Sequence, residues 1–236
     1  MSSILAIILA RKNSKGLKKK NIRKVKGKEL IYWPIRAALK SKYIDDVIVS
    51  TDCKNIRKLS KKYGASTPFL RPKQFARDSS SSYEAIKHCL DYLRSKGIFY
   101  EYFLLLEPTS PLTNSEDIDR AFEKLFKNKK AKSIVSVSKT EATHPIFLSK
   151  LNNNKFLKPV FFKSFKFVRR QNLNDYFYFD GSLYISETKY YLKKKTFNHS
   201  KTLPIRLAKW KSIEIDCFND LICVQALKKH EKKLQE

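Results

Sequence analysis

Cationic, carboxylate and hydroxyl side chains gather at a few places in the chain. Arg11, Lys12, Lys15, Lys18, Lys19 and Lys20 crowd one segment, with Asn13, Ser14 and Gly16 among them and Asn21 just behind. A glycine-containing loop with small polar residues can turn backbone N–H groups toward an anion, and neighbouring cations add charge and direction. The chemistry that suits is the cradling of a triphosphate, although the spacing is neither G-x-x-x-x-G-K-[ST] nor G-x-G-x-x-G. Charge alone is equally consistent with a solvated basic loop. At the other end, Glu214 and Asp216 alternate with Ile213 and Ile215. Period two puts both carboxylates on one face of a strand and both isoleucines in the core. Such a pair can share an octahedral Mg²⁺ with water and phosphate oxygens, or simply form the polar face of an edge strand. Between these ends, Arg71 precedes Pro72, a fixed backbone from which a guanidinium can reach a phosphate or a base. Thr109 and Ser110 lie in a loop stiffened by Pro108 and Pro111. Arg169 and Arg170, followed by Gln171, suit a carboxylate. Asp180-Gly181 reads either as a tight turn before a strand or as a ligand contact.

Elements must hold these groups in place. The apolar, β-branched run 4–9 fits a strand buried on both faces of a parallel sheet. Further strands are expected at 47–49, 102–106 and 134–137, each ending in a polar segment or preceding one. Helices are predicted over 30–40, with Ile31, Ile35, Ala38 and Leu39 on one face, over 55–63 ending at Gly64, and over 83–93. Asp52, either Ser81 or Ser82, and Ser115 are the expected caps. Glu116 and Asp117 fall in the first turn of a helix running to 126, and an amphipathic helix over 218–235 closes the chain. Alternating strands and helices imply an α/β protein, a Rossmann-like, mostly parallel sheet flanked by helices, with the polar clusters at its carboxyl edge. From 139 to 178 the rhythm breaks into a polar, aromatic segment containing His144, Phe147, Phe156, Phe161, Phe162, Phe165 and Phe167. Aromatics at that spacing suggest an insertion that packs on a partner. The expected plan is a nucleotide-binding α/β domain from 1–138 and 179–236, with a small dimerisation and sugar-binding insertion at 139–178.

Composition narrows the class. There are 50 Lys and Arg against 22 Asp and Glu, a net charge of +28. That balance invites a nucleic-acid reading. The lysines run through nearly every segment without an aromatic-interleaved patch, so an anionic small substrate is the preferred partner. The four cysteines form no C-x-x-C pair and no histidine stands at zinc-ligand spacing from one, which points to free thiols in a reducing compartment. The opening apolar run is far shorter than the ~18 residues of a membrane span, and no charged segment precedes it as in a signal peptide. The expectation is a cytoplasmic protein without membrane or nucleic-acid partners.

Ala10-Arg11-Lys12-Asn13-Ser14-Lys15-Gly16-Leu17, followed by Lys20-Asn21, resembles the signature of the acylneuraminate cytidylyltransferases, the CMP-sialic acid synthetase family, in its bacterial nonulosonic-acid form. Similar motifs follow in the family's order: Val49-Ser50-Thr51-Asp52, Leu70-Arg71-Pro72, Ala76-Arg77-Asp78-Ser79-Ser80-Ser81-Ser82, Glu107-Pro108-Thr109-Ser110-Pro111-Leu112, Arg170-Gln171, Asp180-Gly181 with Tyr184-Ile185, and Glu214-Ile215-Asp216. The resemblance implies a nucleotidyltransferase fold and transfer of CMP from CTP to a nine-carbon, sialic-acid-like sugar with release of pyrophosphate. It implies nucleotide contacts from Ala10, Arg11, Asn13, Ser14, Lys20, Asn21, Arg71, Ser81 and Glu107. Sugar contacts would come from Thr109, Ser110, Arg170, Gln171 and Asp180. Arg11, Lys20 and Asp216 would act in catalysis, Glu214 and Asp216 would hold Mg²⁺, and the insertion would build a homodimer in which one subunit helps to close the other's site. Four positions depart from the family pattern: Glu107 replaces Gln, Thr113 replaces Arg, Asp180 replaces Asn and Glu214 replaces Asp. The nearer alternative is another sugar nucleotidyltransferase, such as the CMP-deoxyoctulosonate type; the more distant is a basic nucleic-acid-binding module.

Overall fold

The computed structural model describes residues 3–13, 16–141, 143–162, 164 and 169–234. In chain order the elements are β1 (Ile4–Leu9), a two-stranded ribbon of β2 (Lys24–Val25) and β3 (Lys28–Glu29), α1 (Tyr32–Lys40), β4 (Asp46–Ser50) and α2 (Lys54–Lys62). There follow α3 (Ser82–Arg94), β5 (Tyr102–Leu106), α4 (Ser115–Lys127), β6 (Ser133–Lys139) and a hairpin of β7 (Ser149–Leu151) and β8 (Leu157–Pro159). Last come β9 (Phe177–Glu187), α5 (Thr188–Lys194), β10 (Thr202–Arg206) and α6 (Phe218–His230).

The main sheet has the order β10-β6-β9-β5-β1-β4. β1 pairs in parallel with β4 and β5, and β10 with β6, whereas β9 runs antiparallel to both its neighbours. The fold is therefore the mostly parallel α/β architecture that the alternation predicts. β1 explains why it holds. Ile4, Ala6 and Ile8 pack on one face with Ile35, Ala38, Ile118 and Phe122, while Leu5 and Ile7 pack on the other with Ile86, Cys89, Leu90 and Leu93. The two-residue period sends alternate side chains to opposite helical layers. Full burial of each such side chain contributes about 1.5–3 kcal/mol, so the central strand is a stiff base for the loop that leaves it.

Because β9 is antiparallel, its start shares an edge with the ends of the parallel strands. There its register with β6 shifts between Val135 and Val137, and Gly181 sits inside the strand at φ +75° rather than in a turn before it. The chain leaves β6 at Lys139 and returns at Phe177, and the hairpin between them exposes Phe147, Leu151, Phe156, Leu157 and Phe161. Phe165 and Phe167 lie outside the described residues.

Several local expectations need correction. The segment 212–216 joins no strand: a short 3₁₀ turn, Lys209–Ser212, leads into extended chain that stays outside the sheet. The expected alternation holds only for the second pair: Ile215 is fully buried and Asp216 exposed, whereas Ile213 and Glu214 are both half-buried. Asp52 does not cap α2, whose N-cap is Cys53 without a side-chain bond, because the Asp52 carboxylate is turned to the loop after β1. The cap of α4 is Asn114, not Ser115, closed in a capping box with Asp117. Leu39 lies at the solvent side of α1, 44% exposed, and α6 ends at His230. No described helix is long and apolar enough to cross a membrane.

Candidate functional site

A cleft of about 380 Å³ opens at the carboxyl ends of β1 and β5. Four stretches of chain wall it: the loop after β1 with Arg11, Gly16, Lys20 and Asn21; Arg71 with the turn 75–82; Glu107 to Thr109; and Glu214 with Asp216.

The loop after β1 is pinned by the backbone of its neighbours. The Ala10 amide donates to the Ser50 carbonyl at 3.1 Å, the Lys12 amide to Asp52 Oδ1 at 2.7 Å, and Asn21 Nδ2 to the Arg11 carbonyl at 2.8 Å. Lys19 occupies the left-handed region at φ 54°, which turns the chain so that Lys20 faces back into the cleft. Lys20 Nζ reaches Asp216 Oδ1 at 3.0 Å. Gly16 sits so close to the second wall that a Cβ there would lie 2.3 Å from the Asp216 carbonyl oxygen. Glycine at this position lets the cationic loop touch the carboxylate segment, backbone against backbone. Arg11 Nη1 is paired with Asp78 Oδ1 at 2.5 Å.

Arg71 is buried, with Nη2 donating to the Ser50 carbonyl at 2.6 Å and its amide to Thr51 at 2.8 Å. Its Nε finds no partner among the described residues. Burial pulls its pKa down to about 10, so it remains a cation at neutral pH, one poorly solvated and suited to an incoming anion. Ser81 forms a capping box with Glu84 at the start of α3, and Ser80, Ser81 and Ser82 all line the cleft.

On the opposite wall the Thr109 hydroxyl stands 3.0 Å from Glu214 Oε1 and 3.4 Å from Glu107 Oε2. It has one proton for two carboxylates. Burial, reinforced by the nearby charge of Glu214, pushes the Glu107 carboxyl up to about 7, with Lys20 opposing the shift. The Ile215 amide donates to the Thr109 carbonyl at 2.8 Å, and a Cβ on Gly181 would come within 2.8 Å of Glu214 Oε2.

The structure thus brings together Arg11, Lys20, Asn21, Arg71, Ser81, Glu107, Thr109, Glu214 and Asp216. Ala10 is fully buried and contributes its backbone, while Asn13 is exposed and does not line the cleft. Ser14 lies outside the described residues. The sugar set is dispersed. Ser110 is buried with its hydroxyl on the Gly181 carbonyl at 3.2 Å. Asp180 is also buried, and its carboxylate accepts from Ser136 at 2.5 Å, Ser138 at 2.8 Å and the Ser182 amide at 3.1 Å. Three donors already fill that carboxylate, so Asp180 ties β9 to β6 instead of facing the cleft. Arg170 begins a short 3₁₀ turn on the insertion, and Gln171 lines a separate hollow of about 330 Å³ with His144. Sequence reasoning missed Arg77 and Asp78 in the cleft wall and the buried Lys211–Asp117 pair. Arg77 and Asp78 lie in the recognised motif; Lys211 carries no signal that sets it apart from the other lysines.

Among the described residues no three His, Cys, Asp or Glu side chains gather into a metal cage. Glu214 and Asp216 offer hard oxygen donors beside the cationic loop after β1. That donor set fits Mg²⁺, which is usually held by one or two carboxylates with water and substrate phosphates.

Cations from the end of β1 face carboxylates across the carboxyl edge of the sheet, an arrangement with the charges that nucleotidyl transfer calls for. The chain belongs to the cytidylyltransferase family, whose sequence profile matches residues 5–235. It is 36% identical over 214 residues, 90% of each chain, to the CMP-N,N'-diacetyllegionaminic acid synthase of Legionella pneumophila. It is 32% identical to a pseudaminic acid cytidylyltransferase of Campylobacter jejuni, over 80% of this chain and 81% of that protein. The N-acylneuraminate cytidylyltransferase of Escherichia coli is 33% identical over 98% of this chain, which spans only 54% of that longer protein. A solved CMP:2-keto-3-deoxy-manno-octonic acid synthetase complexed with CTP shares the fold, with a TM-score of 0.70 at 15% identity, covering 98% of this chain and 100% of the other.

Proposed function

We propose that the chain transfers CMP from CTP to a hydroxyl of a nine-carbon acidic sugar, a nonulosonic acid, with release of pyrophosphate. The carrying observation is the contact between the two walls: Lys20 on Asp216 and Gly16 against the Asp216 backbone. It sets a triphosphate-binding loop directly against a carboxylate pair, and the named relatives all make CMP-linked acids of this class.

The sugar hydroxyl attacks the α-phosphorus of CTP and gives up its proton to water, the new P–O bond forms, and the bond to the β-phosphate oxygen breaks as pyrophosphate leaves. Such chemistry depends on in-line positioning and charge neutralisation. Arg11 and Lys20 neutralise the triphosphate and the departing pyrophosphate. Arg71 and Asn21 orient the nucleotide, and the serine-lined start of α3 offers hydroxyls and N–H groups to it. Glu214 and Asp216 would hold Mg²⁺, which supplies Lewis-acid charge and a template when bound. Thr109 fixes the Glu214 carboxylate. Since Gln171 lies outside the cleft of its own chain, Arg170 and Gln171 serve a second copy in a homodimer, with the exposed apolar hairpin as contact surface. A CTP-dependent reaction of this kind supports a cytoplasmic location as part of the same reading.

The test is pyrophosphate release by the purified protein with CTP, Mg²⁺ and a panel of neuraminic, legionaminic and pseudaminic acids. Release with one acid, and none with UTP or without Mg²⁺, is expected. Release with deoxyoctulosonate alone, or none with any acid despite tight CTP binding, overturns the assignment.

A further inference from the structure

The carboxylate segment 212–216 has no ladder of hydrogen bonds to fix it, because it lies outside the sheet. Ile215 anchors it through apolar burial, which is non-directional, and the backbone adds two hydrogen bonds, from the Ile215 amide to the Thr109 carbonyl and from the Asp216 amide to Asp220 Oδ2. Three residues before Glu214, Lys211 is buried to 6% exposure, and its Nζ meets Asp117 Oδ2 at 2.5 Å. Asp117, 2% exposed, is the capping-box residue of α4; it also accepts from the Asn114 amide at 3.2 Å and from Arg120 at 2.7 Å. The Lys211 carbonyl accepts from Ser182 Oγ at 3.5 Å, and the Ser182 carbonyl from Thr113 Oγ1 at 3.3 Å. Three pieces of chain are thereby locked at one junction: the loop from Glu107 to α4, the irregular start of β9, and the carboxylate segment.

A buried ion pair is costly to desolvate, and a well-packed apolar pair of similar volume is often as stable. What the apolar pair lacks is direction. A lysine reaching one carboxylate on a capped helix end cannot slide along the chain without leaving a buried charge unpaired. We propose that Lys211 and Asp117 are positioning residues for the reaction: their buried pair sets the register of Glu214 and Asp216 against Glu107 and Thr109. The inference rests on the reading of Glu214 and Asp216 as the working carboxylates.

The experiment compares the full chain with Lys211→Met and with the double variant Lys211→Met/Asp117→Asn, which removes both charges, keeps a side-chain oxygen for the Asn114 amide of the α4 capping box and is expected to melt within a few degrees of the parent. Amide exchange over 212–216, read without any ligand, is expected to quicken about tenfold in the double variant while the rest of the fold keeps its protection. Turnover in that variant is expected to fall about tenfold in kcat with KM for CTP little changed, since the triphosphate is held by the other wall. A double variant that melts like the parent and also keeps parental exchange and kcat overturns the proposal, leaving the pair a stabilising contact only. If the parent itself releases no pyrophosphate, the functional reading fails, and the exchange comparison still decides the clamp: quickened exchange upholds it, parental exchange overturns it.

Discussion

Glu107 is the residue whose chemistry departs furthest from its surroundings. Its carboxyl shares one threonine hydroxyl with Glu214, faces that residue's charge and is poorly solvated. Raising it from 4.5 to about 7 means that the folded chain binds more protons than the unfolded one between those values. Stability therefore falls as pH rises through that window and levels off above it. Replacing Glu107 by Gln removes the titration while keeping the shape. In urea unfolding without nucleotide or divalent cation, Glu107→Gln is expected to exceed the parent by about 2–3 kcal/mol at pH 8 and to match it near pH 4. An advantage that is the same at both pH values would mean that Glu107 is not ionised against its neighbours. Gly16 belongs to the same scale: its missing Cβ is what allows Asp216 and Lys20 to meet.

At the scale of elements, β1 and β4 act together: the loop after β1 is strung between the Ser50 carbonyl and the Asp52 carboxylate. Asp52 spends its charge on the Lys12 amide, a charge-assisted bond worth about 1.5–3 kcal/mol. Asp52→Ala should loosen the phosphate loop and raise KM for CTP about tenfold, with the melting temperature within a few degrees of the parent, because α2 does not depend on that side chain for its cap. An unchanged KM would separate the loop from nucleotide binding. The strands and helices were legible because apolar period reports burial, and β1, α3 and β5 are buried as their patterns demand. The same signal misled at 212–216, where alternation reports that Ile215 is inside but says nothing of whether the backbone pairs with a strand. Caps were misplaced at Asp52 and Ser115 because several cap-forming side chains stand side by side and tertiary partners decide among them. At Asp180 a turn and a ligand contact both stood open in the sequence, because its partners, Ser136 and Ser138, are more than forty positions away. Lys211 was illegible for a plainer reason: among 50 cationic residues nothing in the sequence marks it as one of the few that are buried.

At the scale of the whole molecule, the proposed sugar contacts of Arg170 and Gln171, on the insertion, would have to reach the cleft from outside it. Gln171 lines a hollow with His144, apart from the cleft of its own chain. Beside it the insertion leaves Leu151 64%, Phe156 70%, Leu157 64% and Phe161 63% exposed, an apolar surface that a second copy would cover. A two-fold dimer built there is self-complementary, so each insertion can serve the partner's cleft. The proposal has a consequence that neither subunit alone can display. Asp216→Ala disables its own cleft, and Arg170→Ala/Gln171→Ala disables the insertion. In a mixed dimer the second subunit's cleft has its own Asp216 and the first subunit's intact insertion. If the insertion serves the partner, equal amounts unfolded and refolded together should recover about a quarter of parental pyrophosphate release, since half the dimers are mixed and one cleft in two is whole. If the insertion serves its own chain, the mixed dimer holds one cleft without its carboxylate and one without its sugar contacts, and mixing restores nothing. Sedimentation of the same samples identifies the dimer, so a failure to associate is distinguished from an insertion that acts within one chain.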